Sequence, residues 1–164
     1  MFRWDLSKFN HPDPNQTAGI RVRFASEGEI GSAAEVWYQG LIEEEGSPWE
    51  NYLKKWTPSG AARWFLDSKK RLGAKMLVAE KEEKIVGING ILSERNSGKG
   101  RFFTGIVVSL NYRRQGIGSL LLHRTLSELK KEGLRCAEVE TIQGIPAAKY
   151  LYPKYGGESI QVAA

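Results

Sequence analysis

The chain has 164 residues, with 24 Lys+Arg against 19 Asp+Glu for a formal net charge of +5, and it is 41% hydrophobic and 10% aromatic. A chain of this length makes one domain, and apolar content with charge of both signs suffices to bury a core, which excludes a disordered or fibrous chain. The single cysteine, Cys136, excludes an internal disulfide and a cysteine-built zinc site. The uncharged apolar runs at 105–110 and 117–122 fall far short of the roughly 20 residues that span a bilayer. Met1-Phe2-Arg3-Trp4-Asp5 lacks the apolar stretch of a secretory signal, so a soluble, cytoplasmic protein with no membrane partner is expected.

Residues 1–19 mix aromatic, Pro, Asn and Asp residues around His11-Pro12-Asp13-Pro14 and read as an arm on the surface, ahead of a domain spanning 20–164. Ile20, Val22 and Phe24 alternate with Arg21 and Arg23 as a first strand. Ser26 and Glu29 form a capping box ahead of Ile30, Ala33, Ala34, Trp37 and Leu41 at helical spacing. Ser47-Pro48-Trp49-Glu50 repeats the device for a second short helix through Trp56, and Thr57-Pro58 opens a third that Gly73 stops. The period then changes to two: strands are predicted at 75–80, 84–92 and 101–109, an antiparallel meander. A helix at 117–131 carries Ile117, Leu120, Leu121 and Leu129 on one side, followed by a strand at 134–141, a short helix at 146–155 and a last strand at 159–163. This order predicts an α/β chain: a mixed, largely antiparallel sheet flanked by helices.

The chemistry is concentrated in Val107-Val108-Ser109-Leu110-Asn111-Tyr112-Arg113-Arg114-Gln115-Gly116-Ile117-Gly118. An apolar strand runs into a basic, glycine-spaced turn that opens an amphipathic helix, presenting backbone N–H groups and a positive helix end to an anion such as a pyrophosphate. Gly116 and Gly118 let phosphate oxygens approach the backbone, and Arg113 and Arg114 add charge at the rim. There is no G-x-x-x-x-G-K-[ST] run, and Leu121 stands where a dinucleotide fingerprint needs a third small residue, so neither a P-loop nor a Rossmann site fits.

Arg-x-x-Gly-x-Gly at 113–118, after a Val-Val strand end and Tyr112, resembles the acyl-CoA-binding motif of the GNAT superfamily of N-acyltransferases. Ala148-x-x-Leu151-Tyr152-x-x-x-Gly156 is similar to that family's second conserved stretch, and the order of elements beyond residue 19 follows the family's order. Leu110, Ile145 and Gly157 depart from it, standing where the family often has Pro, Asn and Phe. The resemblance implies a GNAT fold that binds acetyl-CoA as co-substrate, without a metal, and moves the acetyl group to a primary amine by direct attack. It implies that the strand ending at Ile106, Val107 and Val108 splays from the strand at 134–141 and bonds the pantetheine arm through its backbone. Gln115, Ile117 and Ser119 join Arg113, Arg114, Gly116 and Gly118 in the cofactor-binding set. The amide of Val107, or of a neighbour, would stabilise the oxyanion.

Tyr152 matches the family's tyrosine, which protonates or hydrogen-bonds the departing thiolate; a phenol near pKa 10 and a thiol near 8.5, by roughly these reference values, are close enough to share a proton. Glu138 or Glu140, two apart on a strand, is the best carboxylate to deprotonate the amine through water, although strand carboxylates more often serve as surface or paired groups. Glu43-Glu44-Glu45 falls where this fold builds its acceptor wall, and Trp49, Trp56 and Trp64 can line a pocket there or pack a helix on the sheet. His11 and His123 have no suggestive partner, and Cys136 reads as a small buried hydrophobe.

A non-catalytic acyl-CoA-binding or sensing module would keep residues 113–118 without needing Tyr152. A nucleic-acid-binding domain rests only on basic balance, with no binding motif and no aromatics interleaved with Lys and Arg, so no nucleic-acid partner is expected. The acceptor is a small-molecule or peptide amine, and the aromatic arm with an exposed last strand suits a homodimer.

Overall fold

The computed structural model describes residues 1–14, 19–42, 53–141, 145 and 147–161. Its strands are β1 (Phe2–Asp5), β2 (Ile20–Phe24), β3 (Lys75–Lys81), β4 (Lys84–Glu94), β5 (Lys99–Val108), β6 (Cys136–Val139) and β7 (Glu158–Ser159). The main helices are α1 (Ile30–Ile42), α2 (Pro58–Leu72) and α3 (Ile117–Lys131). Among the described residues the strands form one sheet in the order β2-β3-β4-β5-β6-β1-β7. Its neighbours are antiparallel except β5 and β6, which run parallel. The mixed, largely antiparallel sheet and its helices are as the sequence predicts.

Local chemistry sets the element ends. The Thr57 hydroxyl accepts from the Gly60 amide at 3.0 Å to start α2, and Gly73, at a left-handed φ of 70°, ends it. Before α1, the Glu29 carboxylate accepts the Ser26 amide at 2.9 Å and is also gripped by Arg23, fixing the helix entry to β2. The Ser47 box and the start of its helix lie outside the described residues, as do Glu43, Glu44, Glu45 and Trp49 and the end of the predicted last strand.

Alternation along the strands divides the core between two faces. Leu77, Ala79, Ile91, Phe102 and Ile106 pack with Ile117, Leu121, Leu122, Leu126 and Leu129 of α3 on one face. Met76, Val78, Ile88 and Val107 pack with Ala34 and Trp37 of α1 and Ala61 and Phe65 of α2 on the other. Each fully buried Leu or Ile contributes about 1.5–3 kcal/mol relative to exposure. Asn89, fully buried on β4, donates to Thr125 of α3 at 3.0 Å, tying the sheet to the helix beside the site.

The first residues are not a surface arm. Phe2–Asp5 lies between β6 and β7, with Trp4 at 2% exposure, Leu6 at 0% and Phe9 at 7%. The physical reason is the alternation Phe2, Trp4, Leu6, which gives the segment one apolar face to bury. Beyond it, His123 bonds the His11 carbonyl and Lys130 bonds the Phe9 carbonyl, so the strand's continuation runs over α3.

Two further segments differ from expectation. Residues 147–151 form a π-helical turn followed by a 3₁₀ turn at Pro153–Tyr155, with the Tyr152 amide bonded to the Ala147 carbonyl five residues back at 2.9 Å. In β5 the register against β4 slips between the pairs Asn89↔Ile106 and Ile91↔Phe102, so Phe103, Thr104 and Gly105 bulge opposite Gly90. Gly105 takes a φ of +69°, which favours glycine.

Candidate active site

The bulge opens the site. β5 pairs with β6 from Lys99↔Cys136 to Phe102↔Val139, and among the described residues the pairing ends there. From Phe103 to Val108 the β5 edge facing away from β4 therefore has no partner strand among the described residues. Two groups fix the bulge: the Trp37 indole of α1 donates to the Thr104 carbonyl at 3.2 Å, and the Thr104 hydroxyl accepts the Gly90 amide at 2.7 Å.

The unpaired edge is one wall of a cavity of about 830 Å³. Of the expected cofactor-contacting residues, Ile106, Val107, Val108, Arg113, Arg114, Gly116, Ile117, Gly118 and Ser119 line it. Gln115 does not; its side-chain oxygen accepts from Lys81 at 2.8 Å. Gly116 caps α3 with a left-handed φ of 79°, and Arg114 beside it also has positive φ, 62°. The turn thus places the first amides of α3 on the cavity, where a helix has N–H groups without intrahelical acceptors. Gly118 serves packing as well, because a Cβ there would lie 3.2 Å from Leu151.

The two arginines separate. Arg113 folds back to donate to the Val108 carbonyl at 3.0 Å and to the Gly40 carbonyl of α1 at 2.9 Å, so it ties the turn to β5 and α1. Arg114 is exposed at the cavity rim, and Lys154, across it on the 3₁₀ turn, is a second exposed cation in the wall. The sequence reading missed Lys154, Tyr150 and α1's Gly40 and Leu41, all of which line the cavity. Lys154 sits inside the Leu151-Tyr152-x-x-x-Gly156 stretch, so its place two residues after Tyr152 was the available signal.

Strand alternation also selects among the amides. The Ser109 amide bonds the Val86 carbonyl of β4, so Val107, two residues back, points its N–H to β4 as well. The amides on the cleft edge are those of Ile106 and Val108. Ile106 N–H donates to the Tyr152 phenol oxygen at 3.2 Å.

Tyr152 itself is 1% exposed and lies behind the wall, boxed by Phe2, Trp4 and Phe102. Burial pushes its pKa up to about 12, against a smaller lowering by the Ile106 amide. Gly157, where the sequence departs from the resembling family, has no room for a side chain: a Cβ would stand 2.9 Å from the Trp4 ring and 2.7 Å from the Tyr152 carbonyl.

The two candidate bases are not in the cavity wall. Glu138 is 4% exposed and its carboxylate accepts from Arg3 at 2.6 and 2.9 Å, with Lys99 at 3.4 Å. Burial raises its pKa, but the hydrogen bond and charge of Arg3 together with Lys99 outweigh that and hold it below the ordinary carboxylate value. A carboxylate so held accepts a proton poorly, and its place is in the β1–β6 ladder. Glu140 is exposed just past the end of β6. Of the tryptophans named for the acceptor side, Trp56 and Trp64 meet edge to face at 5.4 Å and both pack on Trp37, with Trp64 reaching Phe103 of the bulge at 5.3 Å. Cys136 is half-buried on β6.

The sequence matches the acetyltransferase (GNAT) family over residues 38–156. The chain belongs to that family. Solved structures share its fold at low identity. The PaiA N-acetyltransferase of Thermoplasma acidophilum in complex with coenzyme A is 17% identical with a TM-score of 0.68, over 84% of this chain and 88% of that one. A predicted acetyltransferase with acetyl-CoA from Clostridium acetobutylicum is 17% identical with a TM-score of 0.68, over 88% and 94%. An aminoglycoside acetyltransferase from an uncultured soil metagenomic sample, in complex with trehalose, is 18% identical with a TM-score of 0.67, over 89% and 93%. The sequence matches none of the curated proteins. Among the described residues no helix is long and apolar enough to cross a membrane.

Proposed function

We propose that this chain is an N-acetyltransferase that transfers the acetyl group of acetyl-CoA to a primary amine within a ternary complex. The observation that carries the reading is one continuous cavity wall: the unpaired β5 edge, the glycine turn and the first amides of α3. An extended pantetheine arm has the hydrogen-bonding repeat of a strand and fits the edge from Ile106 to Val108. A pyrophosphate fits the α3 amides, with Arg114 and Lys154 supplying opposing charge. Tyr150, 67% exposed, and Leu110, 44% exposed, line the same cavity and offer apolar surface to the rest of the nucleotide.

The amine nitrogen attacks the thioester carbonyl; the N–C bond forms, the C–S bond breaks, and the proton lost by the nitrogen ends on the CoA sulfur. The amide of Val108, on the cleft edge, is the donor for the developing oxyanion. A phenol with pKa of about 12 holds its proton more tightly than a thiol of about 8.5. Tyr152 therefore acts as a hydrogen-bond donor to the departing thiolate. Its oxygen already accepts from Ile106, which leaves its O–H to donate, and the sulfur must reach the Ile106 end of the cavity to receive it. Glu140, exposed just past the end of β6, is the remaining candidate of the two carboxylates to take the amine proton through water, since Glu138 holds β1 instead.

Thiol release from acetyl-CoA with a panel of amines tests this directly. Tyr152→Phe is expected to lower kcat about 100-fold, the lower end of proton-transfer catalysis, with acetyl-CoA affinity nearly intact. Binding without amine-dependent thiol release would instead mark a non-catalytic acyl-CoA-binding module.

A further inference from the structure

The N-terminal strand touches the reacting region at one place, the ring of Tyr152, and does so with two aromatic side chains. Phe2 and Trp4 each lie 5.5 Å from the Tyr152 ring centre, Trp4 edge-on at 89°. Trp4 is also stacked on Phe102 of β5 at 5.3 Å and 22°. Its indole fills the space left by Gly157, since any Cβ there would meet the ring at 2.9 Å. The Trp4 Nε1 is buried with no partner among the described residues, a cost that Phe would avoid. β1 is in turn fixed from both sides. Arg3 grips the buried Glu138 of β6, the Leu6 amide bonds the Arg135 carbonyl at 2.9 Å, and the Ile160 amide bonds the Met1 carbonyl at 2.8 Å.

We propose that β1 is a positioning strand of the active site, whose Phe2 and Trp4 rings hold the Tyr152 phenol against the Ile106 amide so that its O–H points to the leaving sulfur. This rests on the role given to Tyr152 above. The phenol is carried on a π-to-3₁₀ turn in which the Tyr152 amide bonds the Ala147 carbonyl and the Tyr152 carbonyl accepts the Gly157 amide, bonds that hold the backbone but not the direction of the ring. What sets it is the aromatic box plus a single 3.2 Å bond at the ring's far end. Removing one wall lets the ring tilt about its Cβ and moves the oxygen away from Ile106, and small misplacements of a reacting group are costly in rate. Cofactor binding uses other groups, on the β5 edge and at α3, and is not disturbed.

The test is a double-mutant cycle in the full chain, reading kcat and acetyl-CoA affinity for Trp4→Leu with and without Tyr152→Phe. Trp4→Leu is expected to lower kcat about tenfold with unchanged acetyl-CoA affinity, Trp4→Phe to recover most of the loss, and Trp4→Leu to have no further effect once Tyr152 is Phe. Should Trp4→Leu fail to fold, Phe2→Leu at a half-buried ring carries the same cycle. Equal fold losses in both backgrounds, or unchanged kcat in a folded Trp4→Leu or Phe2→Leu, would overturn the proposal. Unchanged kcat in Tyr152→Phe alone would place the failure in the role of Tyr152, and the positioning strand falls with it.

Discussion

Tyr152 combines two properties that follow from its surroundings: full burial raises its pKa to about 12, and the Ile106 amide fixes its oxygen. The raised value has a consequence for stability. Between pH 10 and about 12 the unfolded chain ionises this phenol while the folded chain keeps it neutral, so stability present below pH 10 is lost as pH rises through about 12. The loss approaches about 3 kcal/mol for this one group. Alkaline thermal melts of the wild type are therefore expected to fall more steeply than those of Tyr152→Phe in that window; parallel curves would contradict the burial. The candidacy of Tyr152 was legible in the resemblance of Ala148-x-x-Leu151-Tyr152-x-x-x-Gly156 to the family's second conserved stretch. Its box was not, because Phe2 and Trp4 approach from the other end of the chain. The same distance explains Arg113, whose guanidinium reaches Gly40, 73 residues away in sequence, instead of the rim.

At the scale of elements, β5 governs the site through its bulge, and α1 governs the bulge. Trp37 holds the Thr104 carbonyl, and one turn later Gly40 lets the helix approach so closely that a Cβ would stand 2.4 Å from a Val107 methyl. Gly40→Ala is expected to cost about 1–3 kcal/mol in urea unfolding and to weaken acetyl-CoA binding, because the Val107–Val108 end of β5 must move. Undiminished stability and affinity would show that the helix can shift freely over the strand. Helices α2 and α3 were readable because their signals are local: Thr57, Pro58 and Gly73 bound the one, and an apolar period from Ile117 to Leu129 with Gly116 before it bounds the other. The bulge was not readable, since it is a mismatch between Phe103-Thr104-Gly105 and Gly90 across two strands. Gly105 inside an apolar run was its only trace.

At the scale of the molecule, the sheet is completed from both ends of the chain. β1 enters between β6 and β7, and its Arg3–Glu138 pair links residues 135 apart. Turn chemistry at His11-Pro12-Asp13-Pro14 dominated the reading of this segment, although Phe2, Trp4 and Leu6 alternate as a strand should; four residues are too short a run for periodicity to decide. With β1 in place, the β5 edge released from β6 and the glycine turn at the start of α3 line a single cavity, with the Tyr152 phenol buried behind its wall. Calorimetric titration with acetyl-CoA tests that convergence most directly. The wild type is expected to bind at one site per chain, and Gly116→Val, which puts a branched side chain at a φ of 79°, is expected to weaken that binding severely while the protein stays folded. No heat of binding from the folded wild type, or equal affinity in the variant, would contradict the assignment of this cavity to an acyl-CoA.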